Sequence, residues 1–314
     1  MNPLRIATRG SALALWQANH IRERLAQLHG VESELIRIRT SGDHFQGASV
    51  AHVSEQTGTK GIFIKELEEA LLDGSADLAV HSMKDVPTEN PAGLVFPAIT
   101  KREEVRDCLI SREGTNLNDL KRGARVGTSS LRRQAQLLHY RPDLEPLDLR
   151  GNVDTRLRKV AAGEFDAIIL ATAGVNRLGA SEKITEILAP EIMLPAVGQG
   201  ALGIETRADD RETLGLVAAL DDAESHAAVT AERALLRELQ GGCQLPLGAW
   251  ARKENGELRL EACVFSADGK EFVRKELRGR VQDAEKLGVR LGQILIEAGA
   301  DRILRLAGRS VGRG

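Results

Sequence analysis

The sequence predicts an α/β protein: two α/β domains with mainly parallel sheets, then a C-terminal α+β domain with a three-stranded antiparallel sheet. Three observations carry this. Up to residue 170, short apolar runs of strand length alternate with patterns of helical spacing, an order that gives parallel sheets with helices on both faces. Beyond residue 245 the pattern changes to three strand-like runs joined by Glu254-Asn255-Gly256 and Ala267-Asp268-Gly269, both hairpin signals. The length of 314 residues also exceeds one ordinary core.

In order along the chain, residues 4–7 read as a buried strand and Thr8-Arg9-Gly10-Ser11 as the turn into a helix over 12–28, where Leu15, Ala18, Ile21, Leu25 and Leu28 recur at helical spacing. Residues 35–39 alternate as a strand. Residues 43–59 are polar and unpatterned, which predicts a mobile surface loop. A helix over 60–72 and a buried strand over 77–80 follow, the strand ending in His81-Ser82-Met83-Lys84-Asp85-Val86-Pro87. Strands are expected at 94–99, 108–111, 125–127, 144–149 and 165–170, with helices at 130–139 and 153–162. Residues 200–205 read as a strand that returns to the first sheet. A helix over 228–239 leads into the Cys243 loop, strands at 250–252, 258–265 and 272–277 form the last sheet, and a helix over 284–296 covers it.

Composition narrows the class. The chain is 42% hydrophobic and 28% charged, as globular proteins are. Its 43 basic and 45 acidic residues leave a net charge of −2, which argues against nucleic-acid or membrane-surface binding. No apolar signal core or membrane span is visible, so a cytoplasmic location is expected. Cys108, Cys243 and Cys263 are well separated without a CxxC pair, and the seven histidines contain no HxxxH, which speaks against disulfides and a metal centre.

Three features point to chemistry. Gly241-Gly242-Cys243-Gln244-Leu245-Pro246 places a thiol on a tight loop after a long helix, where it can serve as nucleophile or attachment point; a small buried hydrophobe is the ordinary alternative. Arg9, Arg132, Arg133, Arg150, Arg156 and Arg177 fall at expected strand ends or in first helical turns, the edge where α/β sheets take ligands, and arginine suits carboxylates or phosphates. Arginine in a first turn opposes the helix dipole, so Arg132 and Arg133 suggest a ligand that offsets the penalty. Ile6-Ala7-Thr8-Arg9-Gly10-Ser11 and Val126-Gly127-Thr128-Ser129-Ser130 are alike as strand, small hydroxyl residues and helix start, a geometry either for anion binding or for simple capping. Asp85, after a buried strand and before Pro87, can act as acid or base or stabilise a cation, with a turn aspartate as the alternative.

Together with Leu13-Ala14-Leu15-Trp16-Gln17-Ala18, Leu131-Arg132-Arg133, Leu149-Arg150-Gly151-Asn152-Val153, Thr155-Arg156 and the run from Pro195 to Glu205, these motifs closely resemble the porphobilinogen deaminase (hydroxymethylbilane synthase) family over essentially the whole chain. The resemblance implies two lobes similar to type II periplasmic binding proteins, domain 1 at 1–100 plus 200–218 and domain 2 at 101–199, with domain 3 at 219–314 carrying the cysteine. It implies head-to-tail condensation of four porphobilinogen molecules into the linear tetrapyrrole hydroxymethylbilane, with release of ammonia, on a dipyrromethane cofactor joined by a thioether to Cys243. Asp85 matches the family's catalytic carboxylate, expected to hydrogen-bond pyrrole N–H groups and stabilise their positive charge. Arg9, Ser11, Lys60, Ser82, Lys84, Thr128, Ser130, Arg132, Arg133, Arg150, Gly151, Asn152, Arg156, Arg177 and Gln199 match cofactor- or substrate-binding positions. The implied partner is the small substrate alone, acting on a monomer without metal or nucleotide.

The family's usual Gly-Gly-Lys-Gly is Gly58-Thr59-Lys60-Gly61 here, and Gln56 stands where many relatives have lysine; both departures bear on the 43–60 loop. A non-catalytic two-lobed anion-binding protein is the main alternative. A cysteine-dependent acyl transferase is weaker, since no motif sets a histidine beside the thiol.

Overall fold

In a computed structural model, the structure describes residues 3–38, 64–239 and 245–311, with side chains to residue 305. The chain forms two compact units, Met1–Glu103 with Ala201–His226, and Glu104–Gly200 with Ala227–Gly314.

The first unit is built on strands β1 (Leu4–Thr8), β2 (Ser33–Arg37), β3 (Leu78–Ser82), β4 (Leu94–Ile99) and β10 (Leu202–Arg207), in the order β2-β1-β3-β10-β4. β1 runs parallel to β2 and β3, while β10 is antiparallel to both its neighbours. The returning strand expected at 200–205 is β10. Helix α1 (Ala12–His29) starts where Ser11 Oγ accepts from Ala14 N at 3.3 Å and ends at Gly30, whose φ of 64° supplies the left-handed cap. Its Ile21 and Leu25 pack with Ile6, Leu78, Val80 and Ile204 on one sheet face. Leu67 and Leu71 of α2 (Lys65–Leu72) cover Ala7 and Ala79 on the other.

In the second unit, β5 (Asp107–Ser111), β6 (Arg125–Gly127), β7 (Glu145–Leu147), β8 (Ala167–Ala171) and β9 (Glu186–Ile187) form the sheet β7-β6-β8-β5-β9. β6 is parallel to β7 and β8, and β5 is antiparallel to its neighbours. The two sheets thus share one strand order and one pattern of directions, each with a single reversed strand, and the expected type II binding-protein-like class is the observed one. The similar segments after residues 6 and 126 follow β1 and β6, which hold equivalent places. Leu137 of α3 (Leu131–Tyr140) packs on one face of this sheet; Leu157 and Val160 of α4 (Val153–Ala161) and Val175 of α5 (Thr172–Arg177) pack on the other.

The remaining sheet is the expected antiparallel one, β11 (Leu247–Glu254), β12 (Glu257–Phe265) and β13 (Phe272–Arg280). Leu258, Leu260, Ala262 and Val264 alternate toward one face. There they meet Ala231 and Leu235 of α7 (Ala223–Glu238), Leu287, Leu291 and Leu295 of α8 (Ala284–Glu297), and Ile303 of α9 (Ala300–Val311). The opposite face carries Arg259 paired to Glu276 at 2.5 Å and Arg274 paired to Glu261 at 2.6 Å.

Among the described residues, four helices and strands lie outside the sequence expectations: β9, α5, α6 (Arg211–Val217) and α9. β9 spans two residues and α6 is too short to show a period. α9 begins directly after Gly299, whose φ of 95° reads as a terminator, and Ala300, Ile303 and Leu304 reveal its role only by joining the core.

Candidate functional site

In the first unit, the carboxyl ends of β1 and β3 bring the predicted residues together. Arg9 follows β1, Ser82 closes β3, and the chain turns through one 3₁₀ turn, Met83–Asp85, before Val86 returns to the interior. Arg9, Ser11, Ser82 and Asp85, with Gln17, His81 and surrounding apolar residues, line a cavity of about 80 Å³. Asp85 is exposed there, and Lys84 beside it is half-buried. Gln17 Nε2 donates to Ser82 Oγ at 2.9 Å, which fixes that hydroxyl from the first turns of α1. Ser11 contributes its hydroxyl to the helix cap, the plainer of the two roles its position allowed.

In the second unit, the predicted residues again follow strands. Thr128, Ser130, Arg132 and Arg133 come after β6, Arg150 to Arg156 after β7, and Arg177 after β8. Their surroundings divide them. Arg132 and Arg133 are buried, 5% and 6% exposed. Arg132 Nη1 donates to Asp107 Oδ2 and to the Leu194 carbonyl, each at 2.7 Å. Arg133 Nη2 donates to Asp107 Oδ1 at 2.7 Å and its Nη1 to the Ile169 carbonyl at 3.0 Å. The anion that offsets these two first-turn cations is therefore Asp107, a residue of the chain itself and not the expected ligand. Burial alone would raise the Asp107 carboxyl, but the two guanidinium groups hold it well below the usual carboxylate range. Gln199 joins this group, its Nε2 donating to Asp107 Oδ1 at 3.0 Å and to the Val105 carbonyl at 2.7 Å. Arg177, also buried, donates to the Gly200 carbonyl at 2.7 Å.

Arg150 and Arg156 are half-buried. Arg150 Nε donates to Asp148 Oδ2 at 2.8 Å, and Arg156 Nε to the Gly151 carbonyl at 2.8 Å. Burial pushes the Asp148 carboxyl up, and the Ser129 hydroxyl with Arg150 and Arg156 more than reverses it. Both arginines thus project their field onto one carboxylate. Gly151 has φ +109°, and Asn152 Oδ1 caps α4 by accepting from Thr155 N at 2.9 Å. Thr128 is buried, with its hydroxyl accepting from Ser130 N at 3.2 Å.

Lys60, Cys243 and the 43–60 loop with Gln56 and Thr59 lie outside the described residues. Sequence reasoning missed Asp107, Gln17, His81, Glu205 and Glu232. Glu232, fully buried, accepts from Gly198 N at 2.7 Å and Ala251 N at 2.8 Å, which ties the segment before β10 to the last sheet. His81 and Glu205 stood inside quoted motifs; the signal missed was their occurrence in apolar runs, where a charge needs a partner.

A dipyrromethane bears acetate and propionate groups, and the donor set suits it: guanidinium groups at the carboxyl edge of the second sheet already act on a carboxylate, Asp148. Comparison with known proteins agrees. Residues 4–215 match the family model described as porphobilinogen deaminase, dipyromethane cofactor binding domain, and residues 226–297 match the porphobilinogen deaminase C-terminal domain. The chain is 51% identical over 302 residues to a porphobilinogen deaminase of Syntrophotalea carbinolica, covering 96% of this chain and 95% of that one. It is 50% identical over 303 residues to the porphobilinogen deaminase of Pelotomaculum thermopropionicum, with 96% of each covered. A solved periplasmic substrate-binding protein of an ABC transporter from Coxiella burnetii aligns at 16% identity and TM-score 0.44, covering 69% of this chain and 91% of that one. On the strength of its matches along nearly its whole length, the chain belongs to the porphobilinogen deaminase family.

Proposed function

We infer that this protein is a hydroxymethylbilane synthase, a transferase that joins four porphobilinogen molecules head to tail with loss of ammonia on a cysteine-linked dipyrromethane. The observation that carries the reading is the Asp85 cavity: a carboxylate on a rigid turn, with Arg9, Ser11 and Ser82 at the same strand ends, in a chain of this family. A non-catalytic anion binder needs the cations but not the carboxylate among them.

When bound, the dipyrromethane supplies a pyrrole whose free α-carbon is the first nucleophile. Asp85 accepts hydrogen bonds from pyrrole N–H groups and stabilises positive charge that develops as the aminomethyl group departs. Arg9, with Lys84, Ser11 and Ser82, holds substrate carboxylates on the first unit. Arg150 and Arg156, with Asn152, Gly151, Thr128 and Ser130, take carboxylates on the second. Arg132, Arg133, Arg177 and Gln199 act from within, holding the backbone carbonyls of Leu194, Ile169, Gly200 and Val105 inside the second unit. Cys243 carries the thioether, and Lys60 belongs with the substrate-binding cations.

We further propose three domains, 1–100 with 200–218, 101–199, and 219–314; most of the last two falls in the second compact unit, with residues 101–103 and 219–226 in the first. The protein acts as a cytoplasmic monomer on a small-molecule substrate, without nucleic-acid or membrane partners. The near balance of acidic and basic residues supports this, and among the described residues no helix is long and apolar enough to cross a membrane.

The test is intact mass with porphobilinogen turnover. The parent should exceed its sequence mass by two condensed pyrroles, and Cys243→Ser should lose both the increment and the activity. An unmodified, fully active parent would refute the attachment.

A further inference from the structure

His81, in one wall of the Asp85 cavity, belongs to a buried acid–base pair that the reaction described above does not use. His81 Nε2 lies 3.0 Å from Glu205 Oε2, with the side chains 4% and 0% exposed. Strand register produces the encounter: His81 pairs with Gly203 and Glu205 with Ala79, so the two are diagonal neighbours on one sheet face. Phe96 stands edge-on to the imidazole at 5.7 Å. From α2, Glu68 is the third titratable group: burial and the Glu205 charge push its carboxyl up, and His81 draws it down.

A carboxylate without exposed atoms is costly unless a proton donor faces it. Neither oxygen of Glu205 completes an aligned hydrogen bond among the described residues, and His81 Nε2 is at ion-pair distance. Such contacts are commonly misaligned until substrate binds. A proton on Nε2 would face the carboxylate and leave Nδ1 as the unprotonated nitrogen, and His81 is among the residues that line the cavity.

We propose that His81, oriented by Glu205, takes the proton that each coupling expels from a pyrrole α-carbon; the proposal rests on the synthase reading. In that step the new carbon–carbon bond has formed at the α-carbon. The C–H bond breaks, its electron pair restores the aromatic pyrrole, and the proton passes to Nδ1. The imidazolium is stabilised by Glu205 and returns its proton to the ammonia released in the same cycle, which leaves as ammonium. The exposed Asp85 stabilises the cation, while the enclosed pair removes the proton: two environments, two roles. Glu205 is a positioning residue, acting through His81.

The test uses cofactor-loaded parent, Glu205→Gln, Glu205→Asp and His81→Asn, with porphobilinogen and its analogue deuterated at the free α-carbon. Glu205→Gln should lose roughly 10²-fold in kcat, the size expected for one general base, and acquire a primary isotope effect absent from the parent, with part of the rate restored in Glu205→Asp. Nitrogen NMR of the histidine ring should show His81 protonated on Nε2 in the parent and not in Glu205→Gln. Slowed turnover without an isotope effect, or an unchanged His81 tautomer, would overturn the proposal and leave a structural pair only. Should Glu205→Gln fail to fold, His81→Asn carries the same isotope test. A parent that does not consume porphobilinogen would sink the synthase reading instead, and the NMR result would still decide the pairing.

Discussion

Arg133 grips Asp107 Oδ1 with two nitrogens, Nε at 3.1 Å and Nη2 at 2.7 Å, in a site where Asp107 is wholly buried. A buried carboxylate held this way is ionised only because its partners are fixed, and removing one member leaves an uncompensated interior charge.

Asp107→Asn should therefore destabilise the second unit by about 3–5 kcal/mol, the range for breaking a buried pair. The folded carboxyl is held below its unfolded value, so its stabilisation is fully present above the ordinary carboxylate range and is lost only as pH falls through the depressed value. Denaturant unfolding at several pH values should show the parent and variant far apart at neutral pH and converging in strong acid. Equal stability at neutral pH would contradict the ion-pair account.

The arginines should separate by burial. Arg132→His removes a partner of Asp107 and should lower the melting temperature. Arg150→His alters a half-buried group paired to an exposed Asp148, and such pairs contribute little to stability; it should leave melting unchanged and impair cofactor assembly or chain elongation. Mass spectrometry of the covalent species beside a melting curve distinguishes the two.

Asp85→Asn should keep the cofactor mass and the fold while turnover drops roughly 10²-fold or more, the scale of one electrostatic stabiliser of a transition state. Near-parental rates would remove the carboxylate from the mechanism.

Gly151→Ala tests the turn that presents Arg150 and Asn152. At φ +109° a side chain is strained, and the added Cβ would stand 2.7 Å from Thr155 Cγ2. The strain should cost about 1–3 kcal/mol and loosen the Asn152 cap, read as lower thermal stability together with weaker cofactor retention.

Much of this was legible in the chain itself. Alternating short apolar runs and helical periods fixed the α/β class because buried parallel strands and amphipathic helices each leave a period, and the hairpin signals placed the last sheet. Asp85 was singled out because a carboxylate follows a buried strand there, but local sequence alone left it equally a turn aspartate, and its catalytic role came only from the family resemblance. Glu232 was not, because it lies on the polar-rich pattern of α7 and is buried only by β11 and the segment around Gly198.

By itself, the sequence determined most of the helices and strands, where strand ends meet helix starts, and which residue types gather at those ends, since these are set by neighbours within a few positions. Tertiary structure alone decided that Asp107 answers Arg132 and Arg133 and that Glu205 meets His81. Those pairings depend on a strand arriving from a distant part of the chain and on its register within the sheet, and a one-residue slip would turn each charge to the opposite face.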